Sequence, residues 1–312
     1  MDFSVVVPCY KSFNTLEIVV DGIIATLSER SQYSFEIILV NDNSPDNTWD
    51  KIKELCQRHK CVKAIDLAKN FGQASALMAG FSVAQGKYIV TAEDDGQSST
   101  ELIWEMFDSL GEQHDIICAR NIENPKRGIV RRLGRRANYF MLNYILECPK
   151  DVSPAIFFIA KRNVIEEMLK YDKPYPYIGG LILRSTSKIG NYNINRKQRI
   201  SGNSGYTFKK LINLLLNGIT ALSIKPLRVT FVFGILYALI SVGIFVSCIV
   251  RSAMDIHGNV NLLNMGIILL ISSTFMFALS VVGEYIGRIY MCINHEPQYV
   301  IRQMYSGNES DE

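Results

Sequence analysis

The sequence predicts an α/β fold, a mostly parallel sheet with helices on both faces, followed by two membrane-spanning helices. Three observations carry that prediction. Short apolar runs alternate with segments of helical periodicity through the first two hundred residues. Two long stretches near the carboxyl end, 229–250 and 258–283, contain no Asp, Glu, Lys or Arg. An acidic triplet, Glu93-Asp94-Asp95, closely follows one of the apolar runs.

Taken in order, Phe3–Val7 reads as a first strand, ended by Pro8, which cannot donate to a sheet ladder. Thr15–Leu27 carries Leu16, Val19, Val20, Ile23, Ile24 and Leu27 at helical spacing. Phe35–Val40 is a second apolar run, Trp49–Arg58 a second helix, and Val62–Leu67 a third strand. Ala74–Ala84 then reads as a helix and Tyr88–Thr91 as a fourth strand, with Asp115–Ala119 and Ala155–Ile159 extending the sheet. Strand–helix units of this size imply parallel strands joined by right-handed crossovers and covered on both faces.

The two charge-free stretches are each long enough for a bilayer-spanning helix, which needs about 20 apolar residues. Arg228 and Arg251 bracket the first; Glu284 and Arg288 lie beyond the second. Lys209, Lys210, Lys225 and Arg228 precede the pair and Arg288 and Arg302 follow it, against a lone Arg251 between them. The positive-inside rule therefore places both ends in the cytoplasm and the short loop 252–257 outside. Phe208–Leu222 gathers Leu211, Leu214, Leu215, Ile219 and Leu222 on one helical face, as expected of a helix lying among lipid headgroups or packing on a domain. The expected domains are a catalytic domain over 1–205, an amphipathic juxtamembrane segment over 206–228, two transmembrane helices over 229–290, and a cytoplasmic tail over 291–312. The polar end, 306–312, reads as disordered.

Composition bounds the function. The 312 residues are 48% hydrophobic, with a formal net charge of +3, so a general nucleic-acid binder is not expected. The seven cysteines form no CxxC pair and have no His spacing, which suits reduced thiols facing the cytoplasm rather than a zinc site or disulfide framework. The amino terminus starts as a strand without a basic n-region, so no signal peptide is expected. Trp49 and Trp104 read as packing residues.

Acidic groups at the carboxyl end of a parallel strand face the crevice in which α/β folds bind ligands. So closely spaced, Glu93, Asp94 and Asp95 repel one another unless a cation intervenes, and hard oxygen ligands suit Mg²⁺ or Mn²⁺. Such a cation commonly bridges to nucleotide phosphates. Asp42, at the end of the second strand, stands on the same edge and can accept a hydrogen bond from a uracil imide N–H. Asp46 reads instead as a cap for the following helix.

Val6-Val7-Pro8-Cys9-Tyr10, Asn41-Asp42-Asn43-Ser44, Asn70-Phe71-Gly72-Gln73-Ala74 and the acidic segment ending in Gly96-Gln97 occur in the order seen in family 2 glycosyltransferases. Arg199-Ile200-Ser201-Gly202-Asn203-Ser204-Gly205-Tyr206, Pro226-Leu227-Arg228 and Gly283-Glu284-Tyr285-Ile286-Gly287-Arg288 narrow this further. Together they resemble the polyisoprenyl-phosphate glycosyltransferases, the group of bactoprenol glucosyltransferases and dolichol-phosphate mannose synthase, over nearly the whole chain. The resemblance implies a GT-A fold (Rossmann-like), a UDP-sugar donor, a divalent cation (Mg²⁺ or Mn²⁺), a polyisoprenyl phosphate acceptor and attachment to the lipid bilayer.

Carried over by position, Pro8, Tyr10 and Asp42 would line the nucleoside pocket, with Asp94 beside them. Glu93, Asp95 and Gln97 would hold the metal. Arg199 and Ser204 match the family's loop near the diphosphate. Glu93 departs from the usual Asp, leaving Asp94 as an alternative partner for Asp95. The segment Val152–Phe157 lacks the acidic residue and arginine that relatives carry, with Asp151 as a substitute candidate. The basic run 126–136 places Arg127, Arg131, Arg132, Arg135 and Arg136 on one half of a helix, where Arg131 and its neighbours would meet the acceptor phosphate. The expected activity is an inverting transfer of one hexosyl or N-acetylhexosaminyl group to undecaprenyl or a similar polyisoprenyl phosphate, in building cell-envelope polysaccharide. The alternative is a catalytically silent membrane subunit that binds sugar nucleotides. Small residues Gly234, Ser241 and Gly243 on the first span leave room for a homo-oligomer.

Overall fold

A computed structural model of the chain describes residues 1–96, 98–122, 142–143, 147–149, 151–194 and 260–307, with scattered positions between 227 and 250. The chain divides into two units, Met1–Gly218 with His295–Glu312, and Ile219–Asn294.

In the first unit, strands β1 (Phe3–Cys9), β2 (Phe35–Asn41), β3 (Val62–Leu67) and β4 (Tyr88–Thr91) alternate with helices α1 (Leu16–Ser28), α2 (Thr48–Arg58) and α3 (Gln73–Val83). A short 3-10 turn (Thr100–Leu102) and α4 (Ile103–Leu110) lead to β5 (Ile116–Asn121). After it come β6 (Phe158–Lys161), α5 (Arg162–Leu169), α6 (Ile178–Ser185) and β7 (Ile189–Ile194). The last strand, β8 (Ile301–Ser306), follows the long helix α7 (Val260–Ile293) of the second unit.

The described strands form one eight-stranded sheet in the order β7-β5-β6-β4-β1-β2-β3-β8. β1, β2, β3 and β4 run parallel, as the crossover helices require. β6 runs antiparallel to both β4 and β5, and β8 antiparallel to β3. The central strands are buried on both faces because helices cover both. Phe3, Val5 and Val7 of β1 pack with α1, α2 and α4, through Leu16, Ile23, Ile52, Leu55 and Trp104. Val6, Ile38 and Val40 face the other way, onto Ala76, Leu77 and Phe81 of α3 and Val164 and Ile165 of α5. Gly80 lets α3 approach the sheet closely: a β-carbon there would run into Val6 Cγ1 and lie 3.1 Å from Val40 Cγ2. Trp104 is a packing residue, buried, with its indole N–H donating to the Thr26 carbonyl at 2.7 Å. The described cysteines are all free thiols.

Two sequence expectations change at the carboxyl end. Residues 291–312 are not simply a tail, since Ile301–Ser306 supplies β8 and returns the chain to the first unit's sheet. Ser306 is part of that strand, and 308–312 lie outside the described residues. Of the two expected spans, the described structure gives one. Within α7, Leu270–Ile293 has a mean hydropathy of 1.4 and is long and apolar enough to cross a membrane. It reaches further toward the carboxyl end than the charge-free stretch 258–283. The other expected span, 229–250, and the juxtamembrane segment 206–228 lie mostly outside the described residues.

Candidate active site

The parallel strands β1, β2, β3 and β4 end together, so Cys9, Asn41, Leu67 and Thr91 mark one edge of the sheet. Loops leaving that edge define the crevice of an open α/β sheet. Pro8 is buried in β1, in register with Val40. The Cys9 carbonyl accepts the Asp42 N–H at 3.0 Å on the β2 side, and the Val6 carbonyl accepts the Ala92 N–H at 3.1 Å on the β4 side. Strand backbone groups alternate sides, so Pro8 turns its nitrogen toward β4, whose register with β1 ends at Val6–Thr91. The missing N–H therefore breaks no ladder bond, and the sheet opens there.

The loop after β1 is held by Asp94. Asp94 Oδ2 accepts the Tyr10 N–H at 2.9 Å and the Ser12 hydroxyl, while the Asp94 carbonyl accepts the Thr15 hydroxyl at 2.6 Å. Burial raises the Asp94 pKa and the neighbouring charge of Asp95 adds to the rise, against the pull of the Ser12 and Tyr10 hydrogen bonds. Asp94 thus faces its own chain. Tyr10 is 44% exposed, and Lys11 Nζ lies over its ring, 5.6 Å from the centroid. Lys11, in the left-handed region at φ 58°, donates its N–H to Ser44 Oγ at 3.2 Å and so joins the β1 loop to the β2 loop.

Asp42 is buried at 3% exposure. Its Oδ1 accepts the Phe71 N–H at 2.7 Å and its Oδ2 the Gly72 N–H at 2.8 Å. Burial pushes its pKa up and these two hydrogen bonds oppose the shift. A carboxylate has about four lone-pair sites, so each oxygen keeps acceptor capacity beyond the loop it holds. Gly72, at φ 89°, gives the backbone the turn that aims both amides at one carboxylate. Asp46 precedes Asn47, the N-cap residue of α2, which has no side-chain cap bond; Asp46 Oδ1 instead accepts the Thr48 hydroxyl at 2.6 Å and the Thr48 N–H at 3.3 Å.

Glu93 and Asp95 flank Asp94 at the end of β4, both half-buried, and the Glu93 N–H donates to Ser98 Oγ at 2.9 Å. Among the described residues no three His, Cys, Asp or Glu side chains gather as a metal cage. Two hard carboxylates from one strand end nevertheless fit a cation that takes its remaining ligands from a phosphate-bearing substrate and water, the usual habit of Mg²⁺. The segment Val152–Phe157 lies against the same strand end. The Thr91 hydroxyl donates to the Ile156 carbonyl and accepts the Phe158 N–H at 3.1 Å. Asn191 grips Ser153 on both sides, accepting its N–H at 2.8 Å and donating to its carbonyl at 3.0 Å. Asp151 is exposed. Gln97, Arg131, Arg199 and Ser204 lie outside the described residues, as does the basic run 126–136.

The structure also brings to this edge residues that sequence reasoning passed over. Asp66, 2% exposed near the end of β3, accepts Asn41 Nδ2 at 2.7 Å and Arg302 Nη1 at 3.0 Å. An acidic residue inside the otherwise apolar run Ala64–Leu67 was a readable signal. Arg302, 236 positions away, carried none.

The chain matches the family model described as Glycosyl transferase family 2 over residues 4–214. A prophage SfII-derived bactoprenol glucosyl transferase of Shigella flexneri is 27% identical over 311 residues, covering 99% of this chain and 100% of that protein. An undecaprenyl-phosphate 4-deoxy-4-formamido-L-arabinose transferase of Photorhabdus laumondii is 27% identical over 316 residues, covering 99% and 96%. Among solved structures, Mycobacterium tuberculosis glucosyl-3-phosphoglycerate synthase in complex with Mn²⁺, uridine diphosphate and glucosyl-3-phosphoglycerate aligns with a TM-score of 0.50 at 18% identity. That alignment covers 71% of this chain and 78% of the other, and at this identity the likeness is one of fold.

Proposed function

Since the chain belongs to glycosyl transferase family 2 and has the GT-A fold, we propose that it transfers one sugar from a UDP-sugar to undecaprenyl phosphate or a similar polyisoprenyl phosphate. The transfer takes place at the cytoplasmic membrane face and inverts the anomeric centre. One observation carries this reading: Glu93 and Asp95 stand on the same sheet edge as the Pro8–Ser12 loop and the Asp42-held turn. Carboxylates beside such a crevice suit a metal-assisted departure of a nucleoside diphosphate. The near full-length likeness to transferases named for bactoprenol and undecaprenyl phosphate supports the lipid acceptor.

In this mechanism the Tyr10 ring and Asp42 receive the uridine, and Asp94 keeps the Tyr10 loop in place. Glu93 and Asp95, with Gln97, would hold Mg²⁺ or Mn²⁺, whose role is to offset the charge that develops on the departing diphosphate. With Glu93 and Asp95 flanking it and its own oxygen turned to Tyr10 and Ser12, Asp94 is the positioning member of the triplet. An acceptor phosphate oxygen attacks the anomeric carbon; the bond from that carbon to the diphosphate oxygen breaks, and UDP leaves. A phosphate monoester is already anionic near neutral pH, so no strong general base is required. This accommodates the loss of an acidic residue from Val152–Phe157. Arg199, Ser204 and the Arg131 stripe would supply cations to the two phosphate groups. The apolar helix α7, with the 229–250 stretch as a second span, would anchor the enzyme beside its acceptor.

The test is transfer of radiolabelled sugar from UDP-glucose, UDP-galactose and UDP-N-acetylglucosamine to polyisoprenyl phosphate with Mn²⁺, with mass spectrometry of the lipid product. Turnover with at least one donor, abolished in Asp95→Ala, is expected. Donor binding without turnover across the panel would instead favour a silent sugar-nucleotide-binding subunit, the reading that Glu93 and the altered Val152–Phe157 segment motivate. A product that retains the donor's configuration would rule out direct displacement.

A further inference from the structure

We infer that Arg302, on the strand that follows the apolar helix, is a positioning residue for the donor-nucleoside pocket. The inference rests on the proposed use of the Asp42 edge for the nucleoside.

β8 pairs antiparallel with β3, with Ser306 opposite Lys63, Tyr305 opposite Ala64, Met304 opposite Ile65 and Gln303 opposite Asp66. The register then slips: Leu67 faces Ile301, and Arg302 has no partner residue on β3. Arg302 is the extra residue of a β-bulge, a device that redirects one side chain out of the regular alternation. The Ala68 N–H bonds to the Val300 carbonyl at 2.9 Å, so pairing resumes beyond the bulge and fixes it from both sides.

The redirected guanidinium ties three segments together. Arg302 Nη1 donates to Asp66 Oδ2 at 3.0 Å, and Nη2 donates to the Ala68 carbonyl at 2.8 Å and to Asn43 Oδ1 at 3.4 Å. Asp66 passes the contact on through its other oxygen, which accepts Asn41 Nδ2 at 2.7 Å. The Asn41 side-chain carbonyl in turn accepts the Ser44 N–H at 3.2 Å. Asn41, Asn43 and Ser44 surround Asp42, and Ala68 opens the loop whose Phe71 and Gly72 amides Asp42 holds. Arg302 therefore spans both walls of the Asp42 turn without touching Asp42. Asn43 sits in the left-handed region at φ 50°, a conformation this tether helps to hold. A planar guanidinium spreads its donors over a rigid fork that can reach separated acceptors, whereas an ammonium holds its three donors on one nitrogen. Asp66 is 2% exposed, so losing its cation leaves a buried carboxylate with only Asn41 among these two partners.

The functional consequence is that the donor site is completed by a segment lying after α7 in the chain. The test uses the full chain in detergent micelles, with UDP and Mn²⁺ as the binding probe and steady-state transfer as the second readout. Arg302→Ala is expected to weaken UDP binding and raise the donor KM about tenfold, the scale of a lost charge-assisted hydrogen bond. The kcat and acceptor KM should stay near wild type. Arg302→Lys keeps the charge but loses the fork, and should recover only part of UDP affinity. Gln57→Ala removes the bond to the Tyr305 hydroxyl (3.0 Å) elsewhere along β8 and should leave UDP affinity unchanged. Wild-type UDP affinity in Arg302→Ala, or in Arg302→Lys should the alanine variant not fold, would overturn the inference while leaving the proposed function standing. Equal loss in Gln57→Ala would overturn it too, by showing that strand docking alone is responsible. Failure of the wild type to bind UDP would instead sink the proposed function itself.

Discussion

The carboxylate of Asp94, three residues past the end of the β4–β1 register, accepts the backbone N–H of Tyr10 at 2.9 Å. The middle residue of an acidic triplet is thereby committed to holding a neighbouring loop. The same oxygen also takes the Ser12 hydroxyl. An amide oxygen placed there can accept both donors; a methyl group cannot. Asp94→Asn should keep donor KM within about threefold of wild type, whereas Asp94→Ala should destabilise the fold by about 1–3 kcal/mol. It should also raise donor KM sharply, as the Tyr10 loop loses its tether. Thermal unfolding and donor titration on the two variants check both statements.

Gly80 carries a packing prediction. A β-carbon at this position of α3 meets Val6 of β1 and Val40 of β2, both in the sheet centre. Gly80→Ala should lower stability by about 1–3 kcal/mol through overpacking. Transfer kinetics below the melting transition should change little, since no crevice residue moves. A melting temperature equal to wild type would show that α3 can shift away at no expense.

Asp2 sits at the opposite edge of the sheet and sets an acid limit on stability. Its Oδ2 accepts the Ser34 N–H at 3.1 Å and the Ser34 hydroxyl at 2.8 Å, and Lys87 Nζ lies 3.1 Å from Oδ1. The Ser34 backbone and side-chain bonds, then Lys87, hold the Asp2 pKa far below the usual carboxylate range. A depressed folded-state pKa gives stability that is present above the unfolded value, about 3.9, and is lost as pH falls below it. Asp2→Asn should therefore melt below wild type at neutral pH, with the gap closing below about pH 4. A gap independent of pH would assign the effect to hydrogen bonding alone.

Much of the fold was legible because the central strands are buried on both faces. Val5–Val7, Ile37–Val40 and Ile89–Val90 must read as unbroken apolar runs, and the loops that follow must be polar. The acidic edge was legible for the same reason, as a sharp break after β4. The anchoring role of Asp94 was not, because it rests on contacts with Tyr10 and Ser12, more than eighty positions earlier. β8 escaped notice for a related reason. Its exposed Arg302, Gln303 and Met304 look like a tail, and only pairing with β3 makes Ile301–Ser306 a strand. The start of β6 was placed three residues early, since Ala155 and Ile156 are apolar but serve the loop beside Thr91. Asp42 was read as a ligand to the base, and its grip on Phe71 and Gly72 depends on a turn geometry that spacing does not reveal.

The central claim is that a divalent cation and a nucleoside diphosphate bind where β4 ends. Crystals of the full chain grown with UDP and Mn²⁺, with anomalous scattering used to locate manganese, test it most directly. The account predicts one strong peak within coordination distance of a Glu93 or Asp95 carboxylate oxygen and of the UDP phosphates, with the uracil beside Tyr10 and Asp42. Manganese and diphosphate seated away from that edge of the sheet would contradict it.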